Sequence, residues 1–285
     1  MSDKSQFGIG IRDIESVEEM GAVEELQREV WACDDIDVVP RMMLRPAREV
    51  GGTLVGAYDG ARLAGFAFGF VGLEHGRLAL HSHMLAVREE YRGRDLGARL
   101  KLAQRERALS RGIELMTWTY DPLQSRNAHL NFARLGVTSD DYRIDYYGDV
   151  STSPLHRGTG TDRLWVAWRL TGERVRRKIA APRDELERGR EELERARPLV
   201  RAGAGGGPET FELAGGGRDA LVSIEIPHDI DEVRRSDPRL ALRWREATRG
   251  AFRAAFASGY AAEEFFRAGR NGGARGAYLL RRGGI

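Results

Sequence analysis

The sequence predicts an α/β (α+β) fold with a smaller α+β C-terminal part. Three observations carry this. Strand-like apolar runs and stretches with helical spacing interleave from Ile9 to Leu170. A glycine-bearing turn at Arg92–Gly97 joins a strong strand to a long helix. Beyond Thr171 the character changes, and Asp184–Arg197 is nearly all Glu, Arg and Leu. The division follows as residues 1–172 and 173–285, within the range of one large domain or two ordinary ones.

In chain order, Ile9, Ile11 and Ile14 begin a short strand. Ser16 caps a helix to about Ala32, with Glu18 and Glu19 near its positive end and an apolar face of Val17, Met20, Val23, Leu26 and Val30. Asp34–Asp37 is a loop, and Pro40 starts a second helix to about Val50. Gly51-Gly52 breaks it. Thr53–Tyr58, Arg62–Leu73 and Leu78–Val87 then form a meander, turned at Asp59-Gly60 and His75-Gly76. The helix after the glycine turn ends at Gly112. Ile113–Tyr120 is a strand, Ser125–Leu135 a helix stopped by Gly136, and Tyr142–Val150 and Leu164–Leu170 are strands. In the C-terminal part, Asp184–Arg197 reads as a solvated helix and Ala202–Pro208 as a glycine-rich linker or loop. Ala220–Ile226 is a strand, Arg239–Ser258 a helix opened by Asp237-Pro238, Glu263–Ala268 a short helix and Gly276–Arg281 a last strand.

Composition narrows the function classes. The 45 basic and 43 acidic residues nearly cancel, so a general nucleic-acid footprint is excluded and anion binding must be local. Cys33 is the single cysteine, which rules out an internal disulfide and points to a reducing compartment. Met1–Gln6 lacks an apolar signal core, and no run approaches the roughly 20 apolar residues of a membrane span. The expectation is a cytoplasmic protein without membrane or nucleic-acid partners.

The chemistry centres on the turn. A strand entering a helix through Gly93 and Gly97 aims backbone N–H groups at one point, where the helix dipole favours an anion. Arg92, Arg94 and Arg99 add positive charge. Such turns also occur without ligands, so both readings stand at this level.

Arg92-Gly93-Arg94-Asp95-Leu96-Gly97, led in by Val87–Tyr91, resembles the central signature of the GNAT superfamily of acyl-CoA-dependent N-acyltransferases. Phe132-Ala133-Arg134-Leu135-Gly136-Val137 is similar to the family's closing helix end. The resemblance covers about Ile9 to Leu170. It implies a mixed central sheet, flanked by helices and splayed between the strand ending at Val87 and the strand Glu114–Tyr120. It implies acetyl-CoA or another acyl-CoA as co-substrate. The pantetheine arm would meet the backbone of Leu85, Ala86 and Val87, and the pyrophosphate the N–H groups of Arg92, Gly93, Arg94, Asp95, Leu96, Gly97 and Ala98. A cofactor-facing Asn of the family corresponds to Ser125, with Asn127 nearby. Two further departures are Asp95 in place of a glycine and Phe132 in place of a tyrosine that protonates the leaving thiolate. Asp95 suits a helix cap but repels a pyrophosphate unless turned outward or paired.

His81 and His83 share one face of their strand and are candidate bases for an acceptor ammonium, or a structural pair. They lack a third partner for a metal, and no metal is expected. Tyr120 is a candidate catalytic residue, since it or Asp121 can reach the cleft mouth; packing and turn capping are the alternative. Asn127 and Asn131 share a helix face. Asp34, Asp35, Asp37 and Glu74 either select a cationic amine or are solvated. Arg243, Arg245, Arg249 and Arg253 read as a solvent-facing flank. The expected activity is N-acyl transfer to a small-molecule or peptide amine. The alternative is a non-catalytic GNAT-like binding protein that has lost transfer chemistry. In a third reading the C-terminal part serves as an oligomer interface, a homodimer being the simplest case.

Overall fold

The first helix, α1 (Val17–Trp31), opens on a reciprocal cap in the computed structural model. Ser16 Oγ accepts from the Glu19 amide at 3.2 Å, and Glu19 Oε2 accepts from the Ser16 amide at 3.2 Å. The second helix, α2 (Arg41–Glu49), follows Pro40, whose side chain cannot cap it. Glu24 of α1 does so instead: Oε1 accepts from the Arg41 amide at 2.5 Å, and Oε2 pairs with the Arg41 guanidinium at 2.7 Å. One turn further along α1, Gln27 holds both backbone groups of Val39, at 2.8 and 3.0 Å. Two side chains of α1 thus fix where the loop at Asp34–Val38 returns.

The structure describes residues 8–148, 158–182, 190–213, 219–268 and 275–283. Two compact units divide the chain within its fifth strand, after Trp118. The first has the strand order β1 (Gly10–Asp13), β2 (Thr53–Asp59), β3 (Arg62–Glu74), β4 (Arg77–Val87) and β5 (Leu115–Tyr120). The first four pair antiparallel, and β4 runs parallel to β5, so the sheet is mixed. Period-two alternation builds two cores. Leu54, Phe66, Phe68, Met84 and Ala86 face Met20, Val23, Leu26 and Leu44 of α1 and α2. Val55, Ala57, Ala64 and Ala67 face Leu96, Leu100 and Ala103 of α3 (Leu96–Ser110). The small residues on that side let α3 lie close.

The second unit has its own mixed sheet, ordered β7 (Arg163–Arg169), β6 (Thr138–Arg143), β11 (Tyr260–Ala268), β12 (Arg275–Arg282), β10 (Leu221–Pro227), β8 (Arg197–Ala202) and β9 (Pro208–Thr210). Its helices are α4 (Ser125–Ala128, continuing as a π-helical turn His129–Leu135), α5 (Glu173–Ala180), α6 (Arg190–Arg195), α7 (Ile230–Ser236) and α8 (Pro238–Ala257). The Trp168 indole donates to the Leu135 carbonyl at 2.7 Å, where Gly136 ends α4 in the left-handed region. None of the described helices is long and apolar enough to cross a membrane.

Several elements differ from expectation. Glu263–Ala268 is the second half of strand β11, not a helix. Its Ala and Glu residues favour a helix, but antiparallel pairing with β12 from Tyr260↔Arg282 to Ala268↔Arg275, and burial of both Phe265 and Phe266, override that preference. Of the two readings of Ala202–Pro208, the glycines form a loop and not a linker: they close a hairpin, with the Gly203 amide on the Gly207 carbonyl at 2.8 Å. Strand β6 starts at Thr138, ahead of Tyr142, because polar Thr138 and Asp141 find partners on β7. Residues 184–189 of the expected Glu/Arg helix lie outside the described residues; its described remainder is α6, and Arg197 begins β8.

Between β3 and β4 the register slips: Phe68 faces Met84 and Phe70 faces His81, so Gly69 alone opposes Ser82 and His83. A Cβ on Gly69 would stand 2.9 Å from the His81 carbonyl oxygen and 3.2 Å from Ser82 Cα. Both obstacles are backbone and cannot swing away. Gly69→Ala is therefore expected to lower unfolding stability by about 1–3 kcal/mol in urea titration. An unchanged midpoint would show that the bulge tolerates a wider strand spacing.

Candidate active site

Strand β4 and helix α3 meet through residues 88–95. The Arg88 amide takes the last ladder position, on the Ala64 carbonyl at 2.9 Å. One 3₁₀ turn, Glu89–Tyr91, follows, and buried Tyr91 anchors it by donating its hydroxyl to Asp59 Oδ2 at 2.9 Å. Gly93 has φ +80° and Asp95 φ +62°, and α3 starts at the next residue. Two left-handed residues in three positions reverse the chain so that α3 begins with its N-terminus at the end of β4. Asp95 thus keeps the backbone shape that a glycine would adopt without strain.

The first-turn amides of Leu96, Gly97 and Ala98 have no acceptor within the helix; the first intrahelical bond runs from Arg99 to the Asp95 carbonyl at 3.1 Å. Contrary to expectation, the Asp95 carboxylate, on a residue held in the left-handed region, caps none of them. Arg92 and Arg94 are exposed beside the turn: Arg92 Nε donates to the Val87 carbonyl at 3.3 Å, and Arg94 lies 5.3 Å over the Tyr91 ring. Arg99 points elsewhere, its guanidinium on the Ile9 carbonyl at 2.6 Å. The result is a cradle of amides flanked by two arginines, suited to a phosphate-like anion.

Strand β4 reaches this cradle after parting from β5. Their parallel pairing is at Leu80↔Met116 and His81↔Thr117, and β4 continues through the bulge to Leu85, Ala86 and Val87. His81 and His83 do share a face: their rings are 6.3 Å apart, with Phe70 5.3 Å from His81 and 5.8 Å from His83. His81 Nδ1 is 3.1 Å from Thr117 Oγ1, which occupies that nitrogen. His83 is exposed at its outer face and crowded by Phe68 and Phe70 at its inner one. That crowding lowers its pKa, and the open face leaves solvent and a second group free to reach the ring.

On the opposite side of the bulge is a group the sequence reading missed. Lys101 of α3 is only 2 % exposed. Its Nζ donates to Ser82 Oγ at 2.7 Å, Ser82 donates to Gln104 Oε1 at 2.7 Å, and Gln104 Nε2 donates to Thr53 Oγ1 at 3.0 Å. Nζ also lies 3.6 Å over the Trp118 ring of β5. Burial alone holds the amine well below its ordinary pKa. Two signals for it were present. Lysine is otherwise nearly absent from this arginine-rich chain, and Lys101 falls on one helical stripe with Gly97, Gln104 and Ala108.

Of the remaining candidates, Asp34–Asp37 lie on the first unit and the others below on the second. Tyr120 is enclosed, its hydroxyl 2.9 Å from that of Tyr278, which donates to the Pro122 carbonyl at 2.6 Å; burial raises both phenols well above the ordinary range. Phe132 packs edge-on to both rings. Ser125 is buried, and its Oγ has no hydrogen-bond partner among the described residues, while Asn127 is exposed and Asn131 buried. Asp121 pairs with Arg245, and Asp162 with Arg249, each at 2.7 Å. Arg245 is 1 % exposed, so this part of the arginine flank is core and not solvated surface. Asp34–Asp37 are exposed, with Asp35 paired to Arg28 at 2.7 Å. Among the described residues no three His, Cys, Asp or Glu side chains converge as metal ligands would.

Residues 20–137 match the model of the Acetyltransferase (GNAT) family. No curated protein matches the chain. Similar solved structures include the ribosomal-protein-S18-alanine N-acetyltransferase from Escherichia coli, 15% identical, with 58% of this chain and 97% of that one covered and a TM-score of 0.45. Another is yncA, a putative acetyltransferase from Salmonella typhimurium solved with its cofactor acetyl-CoA, at 17% identity, 62% and 98% coverage and a TM-score of 0.45. A third is a GNAT family acetyltransferase from Elizabethkingia anophelis with acetyl-CoA bound, at 13% identity, 56% and 97% coverage and a TM-score of 0.44. The amide cradle and the strand that leads to it both lie inside the matched segment, and residues 20–137 of this chain are a domain of the GNAT acetyltransferase family.

Proposed function

We propose that this chain is an acyl-CoA-dependent N-acyltransferase that moves an acetyl or other acyl group to the amine of a small molecule or peptide. The observation that carries the reading is the set of three first-turn amides at Leu96, Gly97 and Ala98, left open by their own cap residue at the end of a strand that has parted from its neighbour. The acyltransferase domain is assigned to residues 1–172, and residues 173–285 to an α+β extension.

In this mechanism the pyrophosphate of the acyl-CoA rests on the amides from Arg92 to Ala98, between Arg92 and Arg94. The pantetheine arm follows the backbone of Leu85, Ala86 and Val87 toward the bulge. Positioning of thioester and amine supplies much of the rate. His83 takes the proton of the acceptor ammonium, directly or through a water, and the free amine attacks the thioester carbonyl. The new N–C bond forms as the C–S bond breaks, and the second proton that the acylated nitrogen sheds passes through solvent to the departing thiolate. Main-chain donors polarise the carbonyl in the transition state. The exposed acids at Asp34, Asp35 and Asp37 favour a cationic acceptor.

The second reading, a binding protein without transfer activity, draws on Asp95 and on the absence of a hydroxyl at Phe132. Calorimetric titration with CoA, followed by thiol release across an amine panel, separates the two. Binding with thiol release supports transfer. Binding without release favours the second reading, and no binding at millimolar CoA removes the first.

Asp95→Gly is expected to bind CoA about fivefold more tightly, since a negative charge leaves the helix start and the left-handed position becomes unstrained. Equal or weaker affinity in the same titration would place the carboxylate outside the field of the phosphates. His83→Gln is expected to keep CoA affinity and lose about a hundredfold in turnover. A base is active when deprotonated, so the wild-type rate climbs with pH through a value below the ordinary 6.5 of histidine. Persistence of that acidic limb in His83→Gln would assign the base to another group.

A further inference from the structure

Lys101 stands where β4 and β5 diverge, and the sheet does not need an amine there. Its Nζ touches both strands from the α3 side: β4 through the Ser82 hydroxyl and β5 through the Trp118 ring. Ser82 is one of the two bulge residues opposite Gly69, and Trp118 directly follows Thr117, the partner of His81 in the parallel pairing. Gln104 and Thr53 complete the chain, and none of these four neighbours carries a charge. An apolar side chain of similar length would fill the same volume without burying an amine. Burial of a lone amine opposes folding at neutral pH, so its presence asks for a role other than stability.

We infer that Lys101 is a positioning residue: a strut between Ser82 and Trp118 that sets the gap between β4 and β5 and thereby places the backbone of Leu85–Val87 for the acyl-CoA. The inference rests on the acyl-CoA reading above. The strut works by direction as much as by size. The hydrogen bond to Ser82 pins the bulge, which has lost ladder contacts, and the contact with the Trp118 face keeps β5 at a fixed distance from it. With the bulge pinned, the strand beyond it leaves at one angle. Without the donor, Ser82 can turn and the strand end can move relative to the amide cradle at the start of α3.

The test uses the full chain with CoA as the probe, comparing wild type, Lys101→Met and Ser82→Ala by calorimetry and by thermal melts without ligand. Both variants are expected to bind CoA about tenfold more weakly than wild type. Lys101→Met is expected to melt higher than wild type at neutral pH. The folded state holds Lys101 with a lowered pKa, so the unfolded chain binds the extra proton and wild-type stability rises as pH climbs toward 10.5. The advantage of Lys101→Met shrinks over the same range. Weaker binding together with a higher melting point is a pair of shifts that a purely structural role does not produce. Wild-type affinity in Lys101→Met, or a lower melting point than wild type, overturns the strut. If Lys101→Met does not fold, the amine is structural and the strut is likewise overturned. Wild-type affinity in Ser82→Ala overturns it independently. Failure of the wild type itself to bind CoA removes the acyl-CoA reading, an outcome separate from any behaviour of the variants.

Discussion

The first unit depends on one mismatch, two residues of β4 set against one of β3 at Gly69. A regular ladder would keep β4 flat against both neighbours. The extra residue bends the strand, and its consequences appear on both faces of the sheet. On one, His83 is brought beside Phe68 and Phe70 with its outer edge in water. On the other, Ser82 turns its hydroxyl into the layer under α3. Beyond the bulge the strand runs clear of β5 to the turn at Arg92–Asp95. The mismatch is possible because Gly69 has no side chain, which lets the two backbones pass at contact distance.

The turn and the bulge use opposite physical means. At the turn, the backbone is strained into the left-handed region at Gly93 and Asp95, and the polar groups so exposed remain available at the start of α3. On the α3 side of the bulge, polar side chains bond to one another inside the protein, through a chain running from Lys101 to Thr53. An open set of donors can receive a ligand; a closed set can hold geometry. The two lie at neighbouring turns of one helix, which ties the shape of the strand to the position of the amides.

Much of this architecture was legible in the sequence because it is written in local terms. Ser16 and Glu19 form the reciprocal cap that their spacing describes, Gly112 and Gly136 end their helices, and Gly93 marks the reversal before α3. What was hidden depends on partners far away in the chain. Glu263–Ala268 reads as a short helix and becomes part of a strand because β12 pairs along its length. Arg245 reads as one of several surface arginines and is buried because Asp121, more than a hundred positions earlier, receives it. The β3–β4 bulge is silent in either strand alone, since it is a property of the register between them. Lys101 was passed over because a lysine in a basic helix is ordinarily a solvent group, and only the opposing sheet turns that stripe into core.

The brackets at the ends of the Asp34–Val38 loop have a consequence for how this protein can change. Gln27 grips the backbone of Val39 and Glu24 grips that of Arg41, so the frame that α2 rests on is set by α1 and not by the loop between them. Asp34, Asp35, Ile36 and Asp37 point outward and hold no part of either core. They form an exchangeable cassette in a fixed mount. Substitutions there can alter charge and apolar character on the surface while the helices on either side keep their places, and selection can explore that surface without first renegotiating the fold.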